Sequence, residues 1–390
     1  MEWDEVLARI EAVVELEATA RGSGALQRVR KIKRASDLLR LCLFYGPGRL
    51  SLREAAAAAG CAGIAELSDK AVLGRLRRCG DWLELILREL LAALRGDLAA
   101  VGQSDRLRLA LVDGTVICGP GSKGPDWRVH ARYDPAVGRF LDLVVSTGRV
   151  GEKIQHTALD AGTTLIVDRG YARAEQIRAA LAAQCQFVGR IGWRSLSLRH
   201  AESDRKFDLM EHLPEGAGPV EHRVRLRGHQ QPLRLVIEAL PPEAVAAAEK
   251  RVTRRESRSG KTMMAGTKEA AGYLFLLTTL PAEVTPAERV VALYRSRWQV
   301  ELGFKRLKTL GGIGDLPATD PRLARTWLLA HLIAAVLTED IATQMAAFSP
   351  CDGEEEGAKA LPLPLAGMED CPPSGRRSDP PATQTTPPGP

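Results

Sequence analysis

Three carboxylates carry the chemistry this sequence could do. Asp113 ends the apolar run LRLALVD and is followed by Gly114-Thr115; Asp168 ends a second, TTLIVD, and is followed by Arg169-Gly170-Tyr171. A carboxylate at the carboxyl end of a buried strand points into the crevice where α/β sheets place ligands. If the two strands are neighbours, the two aspartates converge. One such Asp often does no more than cap a turn, so the pair is the signal. Paired carboxylates offer only oxygen, a donor set for hard divalent cations such as Mg²⁺ or Mn²⁺.

The third acid comes with company. In VVALYRSRWQVELGFKRLKTL, Tyr294, Arg297, Glu301 and Lys308 stand three, four and seven residues apart. On one continuous helix at about 100° per residue they fall within about 60° of each other. Leu293, Val300, Phe304, Leu307 and Leu310 form another face for packing. An isolated Arg-x3-Glu reads as a surface ladder stabilising its helix by a few tenths of a kcal/mol. The full pattern is much rarer, and it lies downstream of two strand-end aspartates. Thr285 as cap and Pro286 at the first helical position start this helix, which is expected to run to Leu310.

The elements that must position these residues fall into regions. Residues 1–105 read as helical, with a basic run at Arg28, Arg30, Lys31, Lys33 and Arg34 and two short helices around Gly60, the second capped at Ser68-Asp69. A helix-turn-helix DNA reader and a plain helical bundle both fit. Residues 106–192 hold three successive β-type runs and then strand-helix-strand alternation, a mixed α/β sheet. Residues 193–283 return to β runs, including RKFDLMEHL, and look like a β-rich insertion; a basic helix or linker with Lys250, Arg251, Arg254, Arg255, Arg258 and Lys261 interrupts it. Residues 284–348 are helical again. Residues 349–390 are Pro-rich and acidic, and read as a disordered tail.

Composition limits the function classes. Of 390 residues, 45% are hydrophobic and 26% charged, as in a globular protein. The formal charge is +6, and because the tail is acidic the first 350 residues carry more, about +10; this favours a polyanionic partner. The seven cysteines are scattered with no Cys-x-x-Cys, so neither disulfides nor a zinc site is expected. No apolar run reads as long enough for a membrane span, and the acidic start lacks the pattern of a signal peptide. Ser146 and Thr147 near His156 lack any nucleophile-elbow motif. His130 and Glu152 are weaker candidates for the rim of the site.

Asp113-Gly-Thr, Asp168-Arg-Gly-Tyr and Tyr294-x2-Arg297-x3-Glu301-x6-Lys308 together resemble the DDE transposases of bacterial insertion sequences, the insertion-sequence-four type with its Tyr-Arg-Glu-Lys signature. The resemblance covers roughly residues 30–346. It implies a ribonuclease-H-like α/β core interrupted by a β-rich insertion and preceded by an all-helical N-terminal domain. It also implies cut-and-paste transposition, with Asp113, Asp168 and Glu301 holding two Mg²⁺ ions for which Mn²⁺ substitutes. Arg297, Lys308 and Tyr294 would contact DNA phosphates. Tyr273, on the strand before the signature helix with Phe275, would be a place for a flipped base; Trp193 and Trp298 are further aromatics. The partners implied are double-stranded DNA, both element ends and target, and a second copy of the chain, in the cytoplasm at the nucleoid. Another ribonuclease-H-like nuclease, or a decayed copy that binds DNA without turnover, are the alternatives.

Overall fold

A computed structural model describes residues 2–27, 31–101, 107–260, 262, 264, 266–309, 311–314 and 316–347. The tail from 349, Arg28, Arg30, Lys261 and Leu310, all invoked above, lie outside the described residues. Residues Met1–Thr343 form one compact unit and Gln344–Pro390 a second.

The chain opens with six helices: α1 (Trp3–Glu11), α2 (Leu16–Gly22), α3 (Ala35–Tyr45), α4 (Leu52–Cys61), α5 (Asp69–Leu76) and α6 (Gly80–Val101). Their starts are written in the sequence. Ser51 and Glu54 form a reciprocal capping box on α4, and the Ser68 hydroxyl accepts from the Ala71 amide at the head of α5. Trp82 of α6 is fully buried, and its indole N–H donates to Thr19 of α2 at 3.1 Å.

Among the described residues nine strands follow: β1 (Arg108–Ile117), β2 (Trp127–Asp134), β3 (Arg139–Thr147), β4 (Thr163–Val167), β5 (Gln186–Arg190), β6 (Leu198–His200), β7 (Val220–Leu226), β8 (Leu233–Ala239) and β9 (Tyr273–Thr278). They make one sheet in the order β3-β2-β1-β4-β5-β9-β8-β7-β6. β1, β4 and β5 are parallel neighbours, and the other pairs are antiparallel. Helix α7 (Ala174–Ala182) makes the crossover from β4 to β5, and α8 (Pro242–Ser259) and α9 (Thr267–Ala270) lie between β8 and β9. The β runs of 193–283 therefore do not close a sheet of their own; through β9 they extend the sheet that carries the aspartates.

Both faces of this sheet are covered. Leu111, Ile166, Val188, Val236 and Leu276 belong to a core shared with the N-terminal and C-terminal helices. Val112, Val167, Phe187, Leu235 and Leu277 belong to a second core with α7 on the other face. This is the period-two alternation of a pleated strand read out on two sides.

Three expectations change. First, RKFDLMEHL is not a strand: Lys206 makes an isolated bridge to Arg199, and Asp208 accepts from the Met210 amide to open a 3₁₀ turn over Leu209–His212. Second, the signature segment is two helices, α10 (Ala287–Arg295) and α11 (Trp298–Thr309). The ladder tightens at the joint: the Ser296 hydroxyl donates to the Leu293 carbonyl at 2.7 Å, and the Arg297 amide donates to Tyr294 at 3.1 Å, an i−3 bond. Pro286, not Thr285, is the N-cap of α10; the Thr285 carbonyl instead accepts from the buried Arg234. Third, one apolar stretch is long enough to span a bilayer: Pro321–Met345 within α12 (Pro321–Ala347) has mean hydropathy 1.2. Leu328, Leu329, Leu332 and Ile333 within it are fully buried in the first core, the behaviour of a central helix of a globular protein.

Candidate active site

β1 and β4 run parallel in register, with Val112 opposite Val167. The next residue on each is Asp113 and Asp168. Asp168 follows the end of β4 as expected, but Asp113 does not end its strand: β1 runs on to Ile117 because its pairing with β2 continues, and the two aspartates lie side by side where the parallel pairing of β1 with β4 stops. The pleat sends both to the face of Leu111 and Ile166, the face covered by the C-terminal helices. Each aspartate is held by local backbone. Asp113 accepts from the Gly114 amide at 2.7 Å; Asp168 accepts from Gly170 at 2.8 Å and Tyr171 at 3.3 Å.

The joint between α10 and α11 turns Arg297 inward. Its guanidinium donates to Asp113 at 3.0 Å and, through the other nitrogen, to Glu301 one turn along. Glu301 thus stands one guanidinium away from Asp113 although 188 residues separate them. Burial pushes the Asp113 carboxyl up to about 7; Arg297 opposes this, and Asp168 and Glu301 add to it. Burial also holds the Tyr294 hydroxyl above its ordinary value, with Arg297, Arg190 and Asp168 as its charged neighbours.

Of the residues singled out in the sequence, Asp113, Asp168, Arg297, Glu301 and Tyr294 come together. Lys308 lies on the same helix, two turns beyond Glu301, and donates to the Val116 carbonyl on β1 at 3.2 Å. Tyr273 begins β9 and lies with Phe275, ring centroids 6.3 Å apart, against the second core. The register sets Leu276 opposite Arg190, so Tyr273 extends past the end of β5 on the same edge as the carboxylates. His130 is a buried core histidine, hydrogen-bonded to Ser146 at 2.9 Å and lowered to about 4 by burial, His156 and Arg128.

Sequence reasoning passed over part of the site. Glu152, a weak candidate, is paired with Arg128 at 2.9 Å and lies against Gly170, where an added Cβ would stand 2.2 Å from its carboxylate and 3.2 Å from Asp168. Tyr171 is fully buried beside Gly114, where a Cβ would stand 2.8 Å from its hydroxyl. The signal was the glycine after each aspartate: each leaves room for a polar group.

Among the described residues, no three His, Cys, Asp or Glu side chains stand close enough to close on one ion. The donor chemistry nevertheless fits a hard divalent cation. An aspartate pushed up by burial and, to a smaller extent, by two further carboxylates is an arrangement that a cation relieves, and all its donors are oxygen.

A family model described as a transposase DDE domain matches residues 105–337. InsL of insertion sequence element IS186A from Escherichia coli strain K12 is 39% identical over 359 residues, covering 89% of this chain and 96% of that relative. The transposase for insertion sequence element IS421 from Escherichia coli is 39% identical over 360 residues, with the same coverage. The transposase for IS231C from Bacillus thuringiensis subsp. berliner is 25% identical over 217 residues, 49% of this chain and 45% of that one. A solved piggyBac transposase synaptic complex with hairpin DNA covers 88% of this chain and 76% of its own at 9% identity and a TM-score of 0.44, too loose a likeness for residue-level correspondence. With the family model spanning more than half of the chain and relatives matched over nearly their whole length, the chain belongs to the transposase DDE domain family.

Proposed function

We propose that this protein is the cut-and-paste transposase of an insertion sequence, cleaving DNA at the element's inverted-repeat ends and joining those ends to target DNA. One observation carries the reading: Asp113 and Asp168 each directly follow the last pair of two parallel strands in register, and Arg297 ties Glu301 to the first of them. In this reading 106–192 and 284–348 make a ribonuclease-H-like core, 193–283 is its insertion, and 1–105 is a helical DNA-binding domain. The protein acts as a dimer on the element ends, at the nucleoid in the cytoplasm.

Asp113, Asp168 and Glu301 would hold the divalent ions, Mg²⁺ with Mn²⁺ as substitute. Such ions, when bound, activate the attacking oxygen and stabilise the leaving one. The chain's own groups do the rest. The amides of Gly114, within β1, and Gly170, in the turn after β4, fix the two aspartates, so that neither must reorganise. Arg297, engaged by two carboxylates in the free protein, becomes a fork for phosphate oxygens once those carboxylates hold cations. Lys308 supplies a point charge on the same helix, and Tyr294 a hydroxyl at the same wall. The half-buried setting of the pair strengthens each of these interactions relative to open water.

The test is a set of single variants, Asp113→Ala, Asp168→Ala and Glu301→Ala, assayed on a labelled duplex ending in the element's inverted repeat. Each is expected to abolish Mg²⁺-dependent cleavage while gel-shift affinity for that duplex survives. Cleavage retained by any one of them removes that residue from the triad.

A further inference from the structure

We infer that α8 (Pro242–Ser259), the helix between β8 and β9, is a docking face for the phosphate backbone of duplex DNA. None of its described residues is fully buried. It touches the rest of the fold along one line. Val245 lies against Gly272, where an added Cβ would stand 3.8 Å from its methyls, and Glu256 pairs with Lys268 at 3.7 Å. At about 100° per residue, Val245, Ala248, Val252 and Glu256 share this line. Lys250, Arg251, Arg254, Arg255 and Arg258 lie on an arc about 140° wide that faces away from it. Among the described residues, none of these five is paired with an acid.

The arc is costly to the free helix. Lys250 with Arg254, Arg251 with Arg255 and Arg254 with Arg258 are like-charge pairs at i, i+4, and each destabilises a helix by about 0.2–0.5 kcal/mol. A solvated surface helix ordinarily interleaves acids on such a face. Here five cations stand over about 12 Å of rise, a length that meets roughly three or four phosphates of one strand of B-DNA. A polyanion of regular spacing turns that repulsion into attraction. The inference rests on the proposed function for the identity of the partner, and it adds a contact surface on the insertion, outside the carboxylate site.

The experiment is salt-dependent binding of the full chain to an inverted-repeat duplex. The variants are R251A/R254A/R255A/R258A and the matching set of four lysines. Exposed alanines favour the helix, so the quadruple alanine variant keeps or raises its melting temperature. Its slope of log K against log salt is expected to fall by about two to three units, and its affinity at least tenfold near physiological salt; the lysine set restores both. A wild type that binds and an alanine variant with the same slope overturn α8 as a DNA face. If deleting residues 351–390 then alters protease cleavage in α8, the acidic tail is its occupant instead. A wild type with no salt-dependent DNA affinity overturns both this inference and the proposed function.

A separate observation points to Tyr171 as a positioning residue for Asp113. Tyr171 is fully buried, and its hydroxyl has no hydrogen-bond partner among the described residues. That hydroxyl lies over Gly114, next to Asp113, with Asp113, Glu152 and Asp168 as charged neighbours. Once Arg297 yields Asp113 to a cation, the hydroxyl is the donor in place to fix the carboxylate, as second ligand shells commonly do. Tyr171→Phe removes only the oxygen. It is expected to leave metal-free stability unchanged or raised, and to weaken Mn²⁺ binding, read from the signal of free Mn²⁺ in electron paramagnetic resonance, by about tenfold. Unchanged Mn²⁺ affinity, or a loss of metal-free stability, overturns the role.

Discussion

Gly303 is expected to set the position of Glu301, the glutamate proposed above for the metal-binding triad. It sits in α11 two residues after Glu301, and a Cβ there would stand 2.9 Å from the Phe140 ring and 3.2 Å from the Tyr133 ring. Neither ring can retreat. Both are buried, they pack edge to face at 5.2 Å, Phe140 also meets Phe304 at 5.9 Å, and Arg306 donates to the Tyr133 hydroxyl at 2.8 Å. Carbon–carbon contact prefers about 3.5–4.0 Å, so Gly303→Ala must lift α11 by roughly 0.6–1 Å. Overpacking of this kind costs about 1–3 kcal/mol, and the gain in helix propensity returns about 1. The net loss should be about 0–2 kcal/mol by urea denaturation. Activity should suffer far more, since a 1 Å misplacement of a catalytic group can cost about 100-fold. Single-turnover cleavage is therefore expected to fall about 10- to 100-fold with DNA affinity unchanged. Cleavage at the wild-type rate in a stably folded variant would refute the argument that this close approach positions Glu301.

Three further outcomes follow. Lys308→Ala should lower the salt slope of DNA binding by about one unit, as loss of one phosphate contact does; an unchanged slope leaves Lys308 as a link to the Val116 carbonyl only. Chelating divalent ions should stop cleavage but not binding, and Mg²⁺ or Mn²⁺ should restore it; cleavage that persists in chelator rejects a metal role for the triad. His331 is buried on α12, donates from Nδ1 to the Trp327 carbonyl at 2.9 Å, and is lowered by burial to about 4. Its folded form binds fewer protons than the unfolded chain between about pH 6.5 and 4. Stability should therefore drop as pH falls through that window, by about 2–3 kcal/mol relative to His331→Gln. Parallel pH profiles for the two proteins would contradict this.

How much of the site was legible depended on which level of structure had to be read. The aspartates were visible because a buried parallel strand writes itself as a short apolar run with an acid after it; Asp168 does end such a strand, while β1 continues past Asp113 through its antiparallel pairing with β2, which the apolar run alone does not reveal. Their adjacency was a conditional that only the register of β1 against β4 resolves. The helical signature was legible as a set but not in its geometry. The helical spacing lines Arg297 up with Glu301, as found, but it carries neither the turn at Ser296 nor the second bond of the same guanidinium, to Asp113. No periodicity argument registers that break, since Ser296 and Arg297 are acceptable helix residues. The strand at 205–213 was misread for a related reason: Asp208 hydrogen-bonds its own backbone, and that local competition outweighs an apolar alternation.

The same reasoning explains why Tyr171 carries no role of its own in the sequence and Glu152 only a weak one. A tyrosine after a glycine has no chemistry in sequence, and its role exists only because Gly114, on another strand, lacks a side chain. The Asp-Gly and Asp-Arg-Gly motifs are thus two halves of one packing statement. Each aspartate is followed by a vacancy, and the vacancy after the first is filled by the residue after the second. A site assembled this way has its precision in the sheet rather than in loops, because β1 cannot slip by one residue against β4 without turning one aspartate onto the α7 face and parting it from the other.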